Sequence, residues 1–188
     1  MPEEWIRELL TFWFDELAPA QWFEKSVTVD QRIKESFSAV YEEVSSRDAA
    51  AEVWAGAGEG TAGRVLAHVI LLDQLPRNMF RGTARMFASD GAALAIARAA
   101  VERGLDAGMD TNRRLFIYLP FEHSESLVDQ DLSVRLFKQL GHAEYLRYAE
   151  AHREIILRFG RFPHRNALLG RASTAEEAAF LQQPGSSF

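Results

Sequence analysis

The chain has 188 residues, 47% hydrophobic and 26% charged, a balance that suits one compact globular domain with a sizeable core. Its 21 Lys plus Arg stand against 27 Asp plus Glu, and the net charge of −6 argues against a general affinity for nucleic acid or anionic membrane. With no cysteine in the chain, disulfides, thiolate metal sites and cysteine nucleophiles are excluded. The start, Met1-Pro2-Glu3-Glu4-Trp5, lacks the basic region of a signal peptide, and the longest apolar run, residues 65–72, is short and contains His68. The expectation is a soluble cytoplasmic protein.

Helical periodicity dominates. Ile6, Leu9, Leu10, Trp13 and Leu17 share one side of a first helix, which Phe12 and Phe14 broaden. Trp22 and Phe23 follow, and the aromatic spacing reads as core. Ile33, Phe37, Val40, Tyr41 and Val44 form a clean 3.6-residue stripe. Residues 63–75 are apolar nearly all round and predict a central helix. Ser89 or Asp90 caps an Ala-rich helix that Gly104 ends. Further helices cover 113–119, about 125–140 and 143–159, and Ser173-Thr174-Ala175-Glu176 has capping-box spacing before a short last one. No stretch alternates with period two, so the fold class is all-α, in a single domain of residues 1–188.

Pro76, Pro120 and Pro163 each follow an apolar helix, 44 and 43 residues apart. Proline lacks an N–H and clashes with the preceding turn, so each is expected to end its helix. A repeated helix–Pro-loop–helix unit implies stacked helical hairpins.

The loops after two of these prolines are basic. Residues 76–86 carry Arg77, Arg81 and Arg85, and residues 158–171 carry Arg158, Arg161, Arg165 and Arg171, with no acid in either. Stacking would gather Arg77, Arg81, Arg161 and Arg165 around a common cavity. The planar guanidinium fork suits carboxylate or phosphate, and Asn78, Glu125, His164 and Asn166 complete the candidate ligand-binding set. The same arginines can instead staple loops to helix ends and to Asp73, Glu122 and Glu125. Asp73 shares a face with Leu66, Val69 and Ile70, so it points inward and needs compensation, most simply from Arg77 four residues on. That placement fits a buried pair or, alternatively, a base. His152 lies on an apolar stripe as a core residue or a catalyst, and His123 sits in the polar turn Glu122-His123-Ser124-Glu125 with Glu122 or Glu125 as a possible orienter.

Gly58-Glu59-Gly60-Thr61-Ala62-Gly63 satisfies the dinucleotide pattern, but helix rather than strand precedes it, so it reads as a flexible connector. There is no phosphate loop and no His-Glu-x-x-His zinc helix, and His152 and Glu154 stand at the wrong helical spacing to share a metal. No cofactor or metal is expected.

Phe12-Trp13-Phe14, Leu71-Leu72-Asp73-Gln74-Leu75-Pro76-Arg77-Asn78, Phe80-Arg81-Gly82-Thr83-Ala84-Arg85, Tyr118-Leu119-Pro120-Phe121-Glu122-His123-Ser124-Glu125 and Arg158-Phe159-Gly160-Arg161-Phe162-Pro163-His164-Arg165-Asn166 resemble a bacterial family known only as a domain of unknown function. Leu75 stands where that family usually has an aromatic, and Met79 where it has Ile, both tolerable apolar swaps. The resemblance implies an all-helical, tetratricopeptide-like fold, a right-handed array of antiparallel hairpins, in the bacterial cytoplasm. It implies no reaction. Three functional classes stand open: a scaffold that binds a peptide or small anionic ligand at the Pro loops, a small-molecule hydrolase using Asp73, His123 and His152 beside the arginines, and an interaction subunit in which these features only anchor loops.

Overall fold

The apolar stripes of the sequence become helices wherever 3.6-residue spacing brings large side chains onto one face. The computed structural model describes residues 4–55, 58 and 60–187, and every regular element among them is helical. The chain divides into two compact units, one of residues 1–81 and 85–120, the other of 82–84 and 121–188.

In the first unit, α1 (Glu4–Thr11) widens into a π turn at Phe12–Glu16. The long α2 (Val27–Ser45) starts where the Ser26 hydroxyl accepts the Val29 N–H. After α3 (Ala49–Trp54), α4 (Thr61–Val69) runs through a second π turn, Ile70–Gln74, into α5 (Leu75–Met79). Residues 65–75 of this continuous rod are all buried, as the sequence predicts for a central helix. Around it pack α1, α2, α3 and α6 (Asp90–Glu102). Edge-on aromatic contacts join Trp13, Phe14 and Trp22 to Phe116 of α7 (Thr111–Glu122), with ring centroids 5.1–5.7 Å apart. Phe23, expected in the core, stacks on Phe116 yet stays 56% exposed.

Pro76 and Pro120 do not end their helices: both lie inside one. Pro76 has no N–H for the Leu72 carbonyl four residues back. The π turn just before it closes instead with Leu75 N–H on the Ile70 carbonyl, and the Ser89 hydroxyl donates to the Leu72 carbonyl at 2.6 Å. Ser89 thus serves the proline rather than capping α6, whose first turn receives no side-chain bond from it. Of the dinucleotide-like motif, Glu59 lies outside the described residues, whereas Gly60, with φ of 87°, and Thr61 open α4.

The second unit is built on the hairpin of α8 (Leu127–Leu140) and α9 (Ala143–Phe159), joined by only two residues and therefore antiparallel. Gly160, with φ of 69°, ends α9 and turns the chain back so that Phe162 packs on Ile155 and Ile156. The final α10 (Ala175–Phe180) begins with a capping box of Thr174 and Glu177, one residue later than the spacing of Ser173 and Glu176 suggests. Among the described residues no helix is long and apolar enough to cross a membrane.

Replacing Ser89 by Ala leaves the Leu72 carbonyl without its hydroxyl donor. The expected cost is about 1–3 kcal/mol, seen as a lower urea midpoint at unchanged m-value.

Candidate functional site

The arginines of the first basic loop meet carboxylates of their own unit. Arg77 makes a two-pronged contact with Asp90 at 2.9 and 3.0 Å and also bonds the Asp73 backbone carbonyl. Asp73 is fully buried, takes a 2.5 Å bond from the Gln74 amide, and lies 3.7 Å from Arg77. The buried-pair reading of Asp73 therefore describes its geometry. Burial would lower the Arg77 pKa, but the charges of Asp73 and Asp90 outweigh it and the net shift is upward. Asp30 gathers Asn78 at 2.8 Å and both prongs of Arg81 at 2.9 Å, and Arg85 pairs with Glu42.

The second basic loop is clamped more elaborately. Arg171 grips Glu125 through both its terminal nitrogens at 2.7 and 2.9 Å, bonds the Phe162 carbonyl, and reaches the Asn166 side-chain oxygen through Nε. Glu125 also accepts the Phe162 N–H at 2.8 Å. Burial would raise the Glu125 pKa, yet these donors hold it below the ordinary value. Arg161 forms the same kind of fork on Glu177 at 2.6 and 2.8 Å and bonds the Ala172 carbonyl. Arg161 and the Thr174 N–H hold Glu177 down to about 2.

The clamps fix Phe162, a fully buried ring with three polar neighbours. His152 meets it edge-on at 5.6 Å, His164 is tilted against it at 5.5 Å, and the Arg165 guanidinium lies over its face at 4.5 Å. His123 stands 6.4 Å from His152, centroid to centroid. His152 is buried and donates from Nδ1 to the Tyr148 carbonyl at 2.9 Å, with a Glu122 carboxylate oxygen 3.2 Å from the same nitrogen. That choice of proton leaves Nε2 as the basic nitrogen. Glu122 is held from its backbone: the Gln130 amide donates to the carbonyls of Glu122 and Ser124 at 2.6 and 2.7 Å.

Burial above all pushes His152 down to about 3; the Tyr148 hydrogen bond opposes this, while His123, Arg165 and His164 reinforce it. Burial likewise lowers His164 to about 4, aided by Arg165 and opposed by Glu125. Both imidazoles are therefore neutral at physiological pH, and the Glu122 contact is not an ion pair.

Of the sequence candidates, Glu125, His123, His152, His164, Arg165 and Asn166 belong to this second-unit assembly, with Arg161 anchoring its loop. Asp73, Arg77, Asn78 and Arg81 belong to the first unit. Of the two orienters expected for His123, Glu122 also lies 3.2 Å from His152 Nδ1, and Glu125 is gripped by Arg171. The role of Phe162 as the common neighbour escaped sequence reasoning, because nothing in a single chain pairs a residue at 162 with one at 152. Among the described residues no three His, Asp or Glu side chains are placed to hold a metal ion.

Fold and sequence together define a class, all-helical bacterial proteins of unknown function. A family model described as bacterial protein of unknown function, DUF924, matches residues 9–185, and the chain belongs to that family. It is similar to the solved structure of a protein of unknown function, ATU0120, from Agrobacterium tumefaciens, at 37% identity, with 97% of this chain and 99% of that chain covered and a TM-score of 0.87. No curated protein matches.

A histidine ordinarily protonates near 6.5, so between there and pH 4 the unfolded chain binds protons that folded His152 and His164 refuse. Their contribution to stability is complete above pH 6.5 and is lost as the pH falls, by at most about 1.4 kcal/mol per pH unit for each histidine. Urea titrations at pH 7, 6 and 5 should show this slope, and His164→Gln should flatten it. Imidazole NMR signals of both residues should stay those of the neutral form at pH 5.

Proposed function

We propose that the second unit binds a small anionic ligand, or the carboxylate of a peptide, at the cluster of His123, His152, His164 and Arg165 around Phe162. The observation that carries this reading is the Arg165 guanidinium, set 4.5 Å over the Phe162 ring that His152 and His164 also meet. A guanidinium is the group in this cluster that favours an oxyanion, through its planar pair of donors. The surroundings support preorganisation, since Arg161, Arg171 and Asn166 are already committed to holding the loop. Neutral His164 can then offer an N–H beside the guanidinium without moving the backbone, whereas the proton of His152 is already given to the Tyr148 carbonyl.

The hydrolase reading has one feature in its favour, the Glu122 carboxylate beside His152 Nδ1. A base whose conjugate acid titrates near 3 is poorly matched to proton abstraction at neutral pH, so binding is the better account. Asp73 takes the Gln74 amide and lies 3.7 Å from Arg77, the geometry of a buried pair rather than of a base. The antiparallel α8–α9 hairpin supports the tetratricopeptide-like part of the reading, and a cysteine-free chain suits the reducing cytoplasm.

The test is a titration of the 15N-labelled protein with inorganic phosphate, acetate and a short peptide with either a C-terminal acid or an amide, at constant ionic strength. Binding of an oxyanion should shift the His152 and His164 signals saturably and raise both pKa values, because a negative neighbour favours the protonated ring. The amidated peptide should bind at least about tenfold more weakly than the acid. Absence of any saturable shift at these rings, or one that persists unchanged in both Arg165→Gln and His164→Gln, overturns the reading.

A further inference from the structure

The first unit contains a cavity of about 300 Å³ that the histidine cluster does not involve. Three guanidiniums line it, Arg7 from α1, Arg64 from α4 and Arg113 from α7, against one carboxylate, Asp15. Arg7 also faces Glu4 at 3.6 Å and Arg113 faces Asp110, but such exposed pairs are weak and leave most of each guanidinium's five N–H donors for another acceptor. The other contacts of Arg64 and Arg113 orient them further. Arg64 donates to the Ala55 carbonyl at 3.1 Å, and Arg113 lies over the Phe14 ring at 4.9 Å while pairing with Asp110.

The remaining lining is apolar or bare. Ile6 and Leu10 supply an aliphatic wall. Gly63, in the first turn of α4, presents no side chain, and a Cβ there would meet Leu10 at an ordinary 3.7 Å. The glycine is thus not required by local packing, and what its bareness leaves is space in the cavity. This gives the last glycine of the dinucleotide-like motif a use different from the one its spacing suggests.

We propose that this cavity is a binding site for a small oxyanion that carries a short aliphatic group, with the guanidiniums on the oxyanion and the tail against Ile6 and Leu10. Guanidinium forks accept carboxylate and phosphate alike. The volume is at the lower end of ligand pockets, which restricts the ligand to a few heavy atoms beyond the charged group. Asp15 weakens the attraction and sets a sign that a mutation can read.

The full chain, 15N-labelled, is titrated with butyl phosphate and with butyrate, each against its tail-free counterpart, inorganic phosphate or acetate, at fixed ionic strength. The Gly63 and Thr11 amides and the arginine Nε–H signals are followed. Saturable shifts are expected, with the butyl compound of the preferred pair binding more tightly than its counterpart. The phosphate and carboxylate arms identify which ester or acid the site prefers. Arg64→Gln and Arg113→Gln should each weaken binding about tenfold or more. Gly63→Leu, which fills the space, should abolish it, and thermal midpoints confirm that each variant folds. Asp15→Asn, at an exposed position, should tighten it. No saturable shift at Gly63, binding that survives both Gly63→Leu and Arg113→Gln, or an affinity unmoved by Asp15→Asn overturns the proposal.

Discussion

The fork of Arg171 on Glu125 fixes the one loop on which the second unit's polar cluster depends. Through the same pair of side chains, the N–H and carbonyl of Phe162 are both satisfied. A loop leaving a helix at Gly160 has no ladder of its own to hold it, so side chains must take over the work of backbone hydrogen bonding. Charge-assisted, two-pronged contacts suit that work because they fix orientation as well as distance. His164 and Arg165 follow Phe162 directly and inherit its position.

Burial, more than the net charge of the chain, sets the charge state of that cluster. The protein is acidic, yet two rings beside Arg165 resist protonation. Desolvation is the larger part of this, and proximity to a guanidinium and to one another supplies the rest. Net charge, an average over the whole surface, therefore says little about the charge state of a particular buried ring.

The sequence made the helices legible because a 3.6-residue stripe is a local signal. The stripes of residues 33–44 and 63–75 became α2 and the central rod with their buried faces as expected. Asp73 was legible for the same reason, since its compensating charge, Arg77, lies four residues on along a helix. Pairings across long sequence separation were not. Glu125 was among the anchors expected for the arginine loops, but nothing local says that Arg171 is the arginine it takes, or links Arg81 to Asp30, Arg161 to Glu177 or His152 to Glu122. The prolines misled for a related reason: the rule that proline breaks helices concerns the missing local bond, while Ser89, distant in sequence, provides a substitute donor at Leu72.

The π turn at Ile70–Gln74 has a consequence for how the central rod can evolve. Such a turn accommodates one residue more than regular α geometry would, and each residue of an α-helix advances the azimuth by about 100°. Loss of a single residue there would let the rod close into uniform helix and swing everything beyond it by roughly that angle. Leu75 and Met79 would leave the interior, and Arg77 would turn away from Asp90. In this stretch, length is constrained as tightly as residue identity, and a deletion should be harsher than almost any substitution.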